Sequence, residues 1–274
     1  MTTARIEKRF AQLKTENRAA FIAYIMAGDP DEATAIEIMK GLPAAGADLI
    51  ELGFPFSDPM AEGPPVQRAA QRALKSGTTL RSTLALAAKF RETDQTTPLI
   101  LMGYLNPLLH HGLDAFAADA AAAGIDGIIV VDCPPEEAGP LTDALEANQL
   151  SIIRLTTPTT DEKRLPAVIA RTSGFIYYVS VAGVTGVKEA NAAEVAPHVE
   201  RMRHASGLPV AVGFGIRTPE RAAQIAQVAD AAVVGSALVD EIASAIEHNE
   251  NVTEKVLSSA AALAKAVHSA RVES

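Results

Sequence analysis

Short apolar runs alternate along the chain with longer stretches of helical periodicity. Eight runs predict strands, at residues 21–26, 49–52, 99–102, 128–131, 152–155, 175–179, 210–212 and 231–234. They are apolar at nearly every position, as parallel strands covered on both faces are. Between them, helical spacing recurs over 31–42, 64–74, 80–90, 113–123, 135–147, 161–170, 192–204 and 219–228. One grammar repeats: helix, small turn, apolar run, polar loop. Ala45-Gly46-Ala47-Asp48 leads into Leu49, and Ala123-Gly124-Ile125-Asp126 leads into Gly127. Each glycine stands where a helix end calls for a left-handed residue. Gln227-Val228-Ala229-Asp230 leads into Ala231 in the same way, without the glycine.

Eight β-then-α units with right-handed crossovers predict an α/β fold, a (β/α)8 TIM barrel, as one domain over 1–274. An open doubly wound sheet is the alternative, but no GxGxxG follows the first run. An extra N-terminal helix bearing Ile6, Phe10 and Leu13 is expected to cover the barrel bottom, and a terminal helix spans 251–267.

Composition narrows the function. With 24 basic and 33 acidic residues, the net charge of −9 argues against nucleic acid or an anionic membrane as the main partner. A local site for a small phosphorylated ligand is compatible with it. The single cysteine, Cys133, excludes an internal disulfide and fits a reducing compartment. The charged start reads as no signal peptide, and no apolar run is long enough to span a bilayer. A soluble, cytoplasmic protein is expected.

Active sites of such barrels sit at the C-terminal ends of the strands. Glu51 lies inside the otherwise apolar run Leu49-Ile50-Glu51-Leu52-Gly53, where an unpaired carboxylate is costly. Catalysis and a structural ion pair both account for it. The following loop, residues 54–65, carries Asp58 and Glu62 among prolines and glycines. It reads either as a ligand cover or as a surface loop whose acids cap the next helix. Three glycine segments fall on neighbouring loops: Gly183-Val184-Thr185-Gly186, Gly213-Phe214-Gly215 and Gly235-Ser236. Glycines admit a phosphate to the backbone, and a helix start adds a favourable dipole. Asp132 either touches ligand or caps the helix after it. Arg154 reads as an ion-pair partner within the barrel, Cys133 as a small buried residue, and His110-His111 as a solvated pair.

These segments resemble one family. Leu49-Ile50-Glu51-Leu52-Gly53-Phe54-Pro55-Phe56-Ser57-Asp58-Pro59, Tyr177-Tyr178-Val179-Ser180 with Gly183-Val184-Thr185-Gly186, and Gly213-Phe214-Gly215-Ile216 are similar to signature stretches of tryptophan synthase alpha subunits. The similarity runs from about residue 10 to residue 267. It implies a lyase that cleaves indole-3-glycerol phosphate to indole and glyceraldehyde 3-phosphate by retro-aldol chemistry, in L-tryptophan biosynthesis. It further implies Glu51 as acid/base, Glu62 as second catalytic carboxylate and Tyr177 as an active-site tyrosine. Gly186, Gly213, Gly215, Gly235 and Ser236 would hold the glycerol phosphate, and Tyr24, Met102, Tyr104, Ile129, Val131 and Phe214 would wall the indole pocket. Asp58 and Thr185 would lie in two closing loops, with Asp132 supporting closure.

No metal or cofactor is implied in this chain. The implied partner is a beta subunit carrying pyridoxal phosphate, in an α2β2 heterotetramer. The sequence departs from the family pattern at Glu62, where Asp is usual, and at Val181, where Arg is frequent. The longer Glu62 suggests a misplaced charge, so Glu62→Asp is expected to speed cleavage. Two alternatives are a stand-alone lyase and a catalytically weak subunit that mainly activates its partner.

Overall fold

In the computed structural model, residues 3–180, 192–213 and 215–271 are described. The strands are β1 (Ala20–Met26), β2 (Leu49–Gly53), β3 (Leu99–Gly103), β4 (Gly127–Val130), β5 (Ser151–Ile152), β6 (Arg154–Thr156), β7 (Ile176–Val179), β8 (Val210–Gly213) and β9 (Ala231–Val234). All pair in parallel, in the order β5-β4-β3-β2-β1-β9-β8-β7-β6. The two ends of that order, β5 and β6, are halves of one segment interrupted only at Ile153. Ile153 still donates its N–H to the Ile128 carbonyl at 2.9 Å. The pairings therefore run full circle, and the sheet is the predicted eight-stranded barrel with its fifth strand divided.

Side chains alternate across the barrel wall. Ile22, Tyr24, Leu49, Ile100, Met102, Ile129, Ile153, Tyr177, Ala211 and Val233 form the inner cluster. Phe21, Ile50, Leu101, Ile128, Tyr178 and Val212 face the helices. This two-residue period is what turns Glu51, two after Leu49, toward the interior. Helix α1 (Thr3–Thr15) closes the bottom as expected. Ile6, Phe10 and Leu13 are buried within the inner cluster, and the Phe10 ring meets Phe175 at 5.7 Å.

The strand starts share a clamp. Asp48, Asp126 and Asp230 each give a backbone N–H to the first turn of the neighbouring strand, at Phe21, Leu99 and Val210, and each carboxylate takes back that residue's N–H at 2.8–2.9 Å. An arginine binds each carboxylate: Arg18, Arg91 and Arg203. In the fourth equivalent place Ser173 bonds Ile152 by its backbone N–H at 3.1 Å.

The helices follow α1 as α2 (Glu32–Gly41), α3 (Pro64–Lys75), α4 (Leu80–Arg91), α5 (Leu105–His111), α6 (Leu113–Ala122), α7 (Gly139–Ala147), α8 (Leu165–Ile169), α9 (Ala192–Ser206), α10 (Pro219–Val228), α11 (Ser236–Glu247) and α12 (Val252–Ser269). Three differ from expectation. α5 fills a stretch between the predicted helices, and its Pro107 stands in the first turn, where a proline removes no needed donor. α7 starts at Gly139 rather than 135, because residues 134–138 close turns on Pro134 and Pro135. α8 is shorter than 161–170, with Pro166 setting its first turn.

Candidate active site

A cavity opens at the C-terminal ends of the strands, lined by Tyr24, Glu51, Glu62, Gly63, Val66, Met102, Tyr177, Gly215, Ile216, Val233, Gly235 and Ser236. Glu51 enters from the barrel wall. It is 1% exposed, and its Oε2 has no hydrogen-bond partner. Burial among apolar neighbours pushes its carboxyl up to about 8. The structural ion pair left open by the sequence is absent among the described residues.

Tyr24 and Tyr177 flank Glu51 from β1 and β7. Tyr24 is its strand-register partner. Burial, and then the nearby carboxylates, raise both phenols far above their ordinary range. Each ring fits only because a glycine faces it. A Cβ at Gly53 would lie 2.4 Å from the Tyr24 hydroxyl, and one at Gly213 would lie 2.1 Å from the Tyr177 hydroxyl.

Glu62 reaches the cavity from the loop after β2. The loop is held at several points to the end of β3. Phe54 donates its N–H to the Met102 carbonyl at 3.0 Å, and its ring fills the space a side chain at Gly103 would need. Phe56 packs on Tyr104 at 5.1 Å between ring centroids. The Tyr104 hydroxyl accepts the Ala61 N–H at 2.8 Å and donates to Glu62 Oε2. Burial raises Glu62 to about 7, its own backbone N–H opposing and the charge of Asp132 adding to the rise.

On the far side, Gly235 precedes α11, whose start has no side-chain cap. Uncapped N–H groups at a helix start bind anions. Gly215, at φ +75°, joins Gly235 and Ser236 on the cavity wall. The cavity thus brings together two carboxylates, the uncapped start of α11, and apolar surface from Val66, Met102, Ile216 and Val233.

Not every expected residue lines this space. Ile129 is fully buried in the inner cluster and makes no cavity wall. Gly213 gives room to the Tyr177 ring, which occupies the side where a ligand would approach its Cα. Tyr104 acts behind Glu62. Val131 and Asp132 line a second cavity, which shares Glu62 and Met102 with the first. Asp132 caps α5 by accepting the Leu105 N–H at 2.7 Å, not the helix that follows it in sequence. Asp58 lies on the exposed part of the loop, hydrogen-bonded to Ser57. Thr185, Gly186, Phe214 and Val181 lie outside the described residues.

Sequence reasoning missed Gly63, Val66, Ile216 and Val233. Val233 was accessible to it, two residues before Gly235 and on the inward phase of its strand. Arg154 is buried but faces outward, toward Thr142 at 3.2 Å, and no carboxylate pairs with it among the described residues. His111 is bonded to Asp119 at 2.8 Å rather than solvated.

Fold and site together define an enzyme of the (β/α)8-barrel class, with its carboxylates and anion-binding helix end at the catalytic face. The family model for the tryptophan synthase alpha chain matches residues 10–268. A tryptophan synthase alpha chain of Caulobacter sp. (strain K31) is 73% identical over 273 residues, covering 100% of this chain and 99% of the relative. That of Phenylobacterium zucineum is 70% identical over 271 residues, covering 99% and 98%. The crystal structure of tryptophan synthase subunit alpha from Legionella pneumophila superposes with a TM-score of 0.90 at 41% identity, covering 96% of this chain and 98% of that one. The chain belongs to the tryptophan synthase alpha chain family. It is a lyase of tryptophan biosynthesis that cleaves indole-3-glycerol phosphate, and the family implies a beta-subunit partner.

Proposed function

We propose that Glu51 is the proton donor and acceptor of this cleavage and Glu62 the carboxylate that receives the indole N–H. The reaction breaks the bond between indole C3 and the glycerol carbon. Indole leaves only once C3 is protonated, and a carboxyl that keeps its proton near neutrality is suited to deliver it. As the bond breaks, the carboxylate so formed takes the proton of the adjacent glycerol hydroxyl, which becomes the aldehyde of glyceraldehyde 3-phosphate. An ionised Glu62 offsets positive charge building on the ring.

Gly215, Gly235 and Ser236 hold the phosphate. Binding there orients the bond near Glu51. Tyr24, Met102 and Tyr177 shape the ring pocket. The observation that carries this reading is Glu51 itself: a buried carboxyl with an unpartnered oxygen, in a cavity whose other wall is a helix start. No cofactor takes part in this chain's step. Pyridoxal phosphate belongs to the beta subunit, in a cytoplasmic α2β2 assembly.

Adding a cognate beta subunit should raise indole production by the isolated chain. The loop bearing Glu62 and Asp58 exposes Met60 at 83%, and a partner that favours its closed form raises the competent fraction. Co-elution and an indole assay with and without the beta chain test this. Full turnover alone and no complex at micromolar concentration would instead establish a stand-alone lyase.

A further inference from the structure

We propose that Tyr104 is a positioning residue for the reaction: its phenol holds Glu62 at the cavity and keeps that carboxylate in its charged form. This rests on the role given to Glu62 above. Tyr104 was expected only as a wall of the ring pocket, yet it is buried and absent from the cavity lining. Its hydroxyl instead uses both its capacities on the loop after β2, accepting from Ala61 and donating to Glu62. A donor bound to a carboxylate favours the ionised state. Burial and the charge of Asp132 favour the neutral acid, and only the residue's own backbone N–H is set against them. Without the phenol, the protonated form gains at neutral pH and the group that should receive the indole N–H is lost.

Tyr104 is itself fixed from behind. It stands at the N-cap position of α5, and Asp132 ties the next residue, Leu105, through its N–H. Phe56 covers its ring from the loop side. A chain of contacts therefore connects the loops after β2, β3 and β4: Asp132 to α5, α5 to Tyr104, and Tyr104 to Ala61 and Glu62. Glu62 meets its phenol partner across this junction and still faces the cavity from its own wall. The extra methylene of Glu62 relative to the usual Asp lengthens its reach toward that partner.

The test compares the parent chain with Tyr104→Phe, Glu62→Gln and the double variant, measuring kcat and KM for indole-3-glycerol phosphate across pH. Phenylalanine keeps the ring and its packing and removes only the hydroxyl. In Tyr104→Phe, the acid limb of activity should move up by about one pH unit, the shift corresponding to a lost hydrogen bond to a charged group. At pH near 7, kcat should fall about fivefold while KM changes less than about twofold. In the Glu62→Gln background the same substitution should add little, because the two residues act as one unit. A Tyr104→Phe variant with altered KM and an unmoved acid limb would reduce Tyr104 to a pocket wall and overturn the proposal alone. A Glu62→Gln variant with parental activity and limb would remove the role given to Glu62, and the proposal with it.

Discussion

Glu51 and Glu62 face one cavity, but Glu51 leaves an oxygen unpartnered on a strand while Glu62 is held by Tyr104 on a loop. Both are raised by burial, Glu51 to about 8 and Glu62 to about 7. Between those values Glu51 keeps its proton and Glu62 has given its proton up. On the proposed reading, the two carboxyl groups take opposite roles.

The first consequence is a narrow bell in pH. Cleavage needs Glu62 ionised and Glu51 protonated, so kcat/KM should rise through about 7 and fall through about 8. Steady-state assays from about pH 5.5 to about 9.5 read both limbs. Replacing Glu62 by Gln should erase the rising limb. A parent profile flat across that range would separate the rate from both groups.

Glu62→Asp should slow cleavage, the reverse of what the sequence suggests. The shorter side chain withdraws the carboxylate by roughly 1.5 Å from the Tyr104 phenol and from the cavity, and a misplacement of about 1 Å can cost on the order of a hundredfold. The expectation of a faster enzyme assumed no partner behind the longer side chain. Kinetics of the two forms decide the sign.

Gly235→Asp should weaken binding of glycerol phosphate analogues, because it places an anion at the helix start assigned to phosphate. Shape contributes too, since a Cβ at this position meets Tyr24 ring atoms at 3.1–3.3 Å. Gly235→Ala carries the shape effect alone. In calorimetry, aspartate should lose at least about tenfold more affinity than alanine, or about 1.4 kcal/mol. Equal losses in the two variants would move the phosphate elsewhere.

The barrel was legible because strands covered on both faces are written as unbroken apolar runs. The break at Ile153 was not, since Ile152-Ile153-Arg154-Leu155 stays apolar enough to read through it. Helix α5, seven residues long, is too short to show a clear helical period. Glu51 declared itself as a charge where the pattern admits none. The bond between Tyr104 and Glu62 joins residues 42 positions apart. It depends on how two loops fold over each other, which no local period records. Asp132 illustrates the same limit: its nearest helix in sequence and the helix it caps are different ones.

On the proposed reading, the buried Glu51 carboxyl supplies the proton that releases indole. The most direct test is kcat for indole release by Glu51→Gln, measured on the isolated folded chain at pH near 7. Glutamine preserves shape and burial and removes the transferable proton. It should also leave the fold no less stable at that pH, because a raised folded-state pKa makes the native acid lose stability as pH climbs from 4.5 toward about 8. The expected outcome is a fall in kcat of about a hundredfold to ten-thousandfold with substrate affinity nearly intact. A variant that keeps more than about a tenth of the parent kcat, a barrier change under about 1.4 kcal/mol, would rule Glu51 out as that acid.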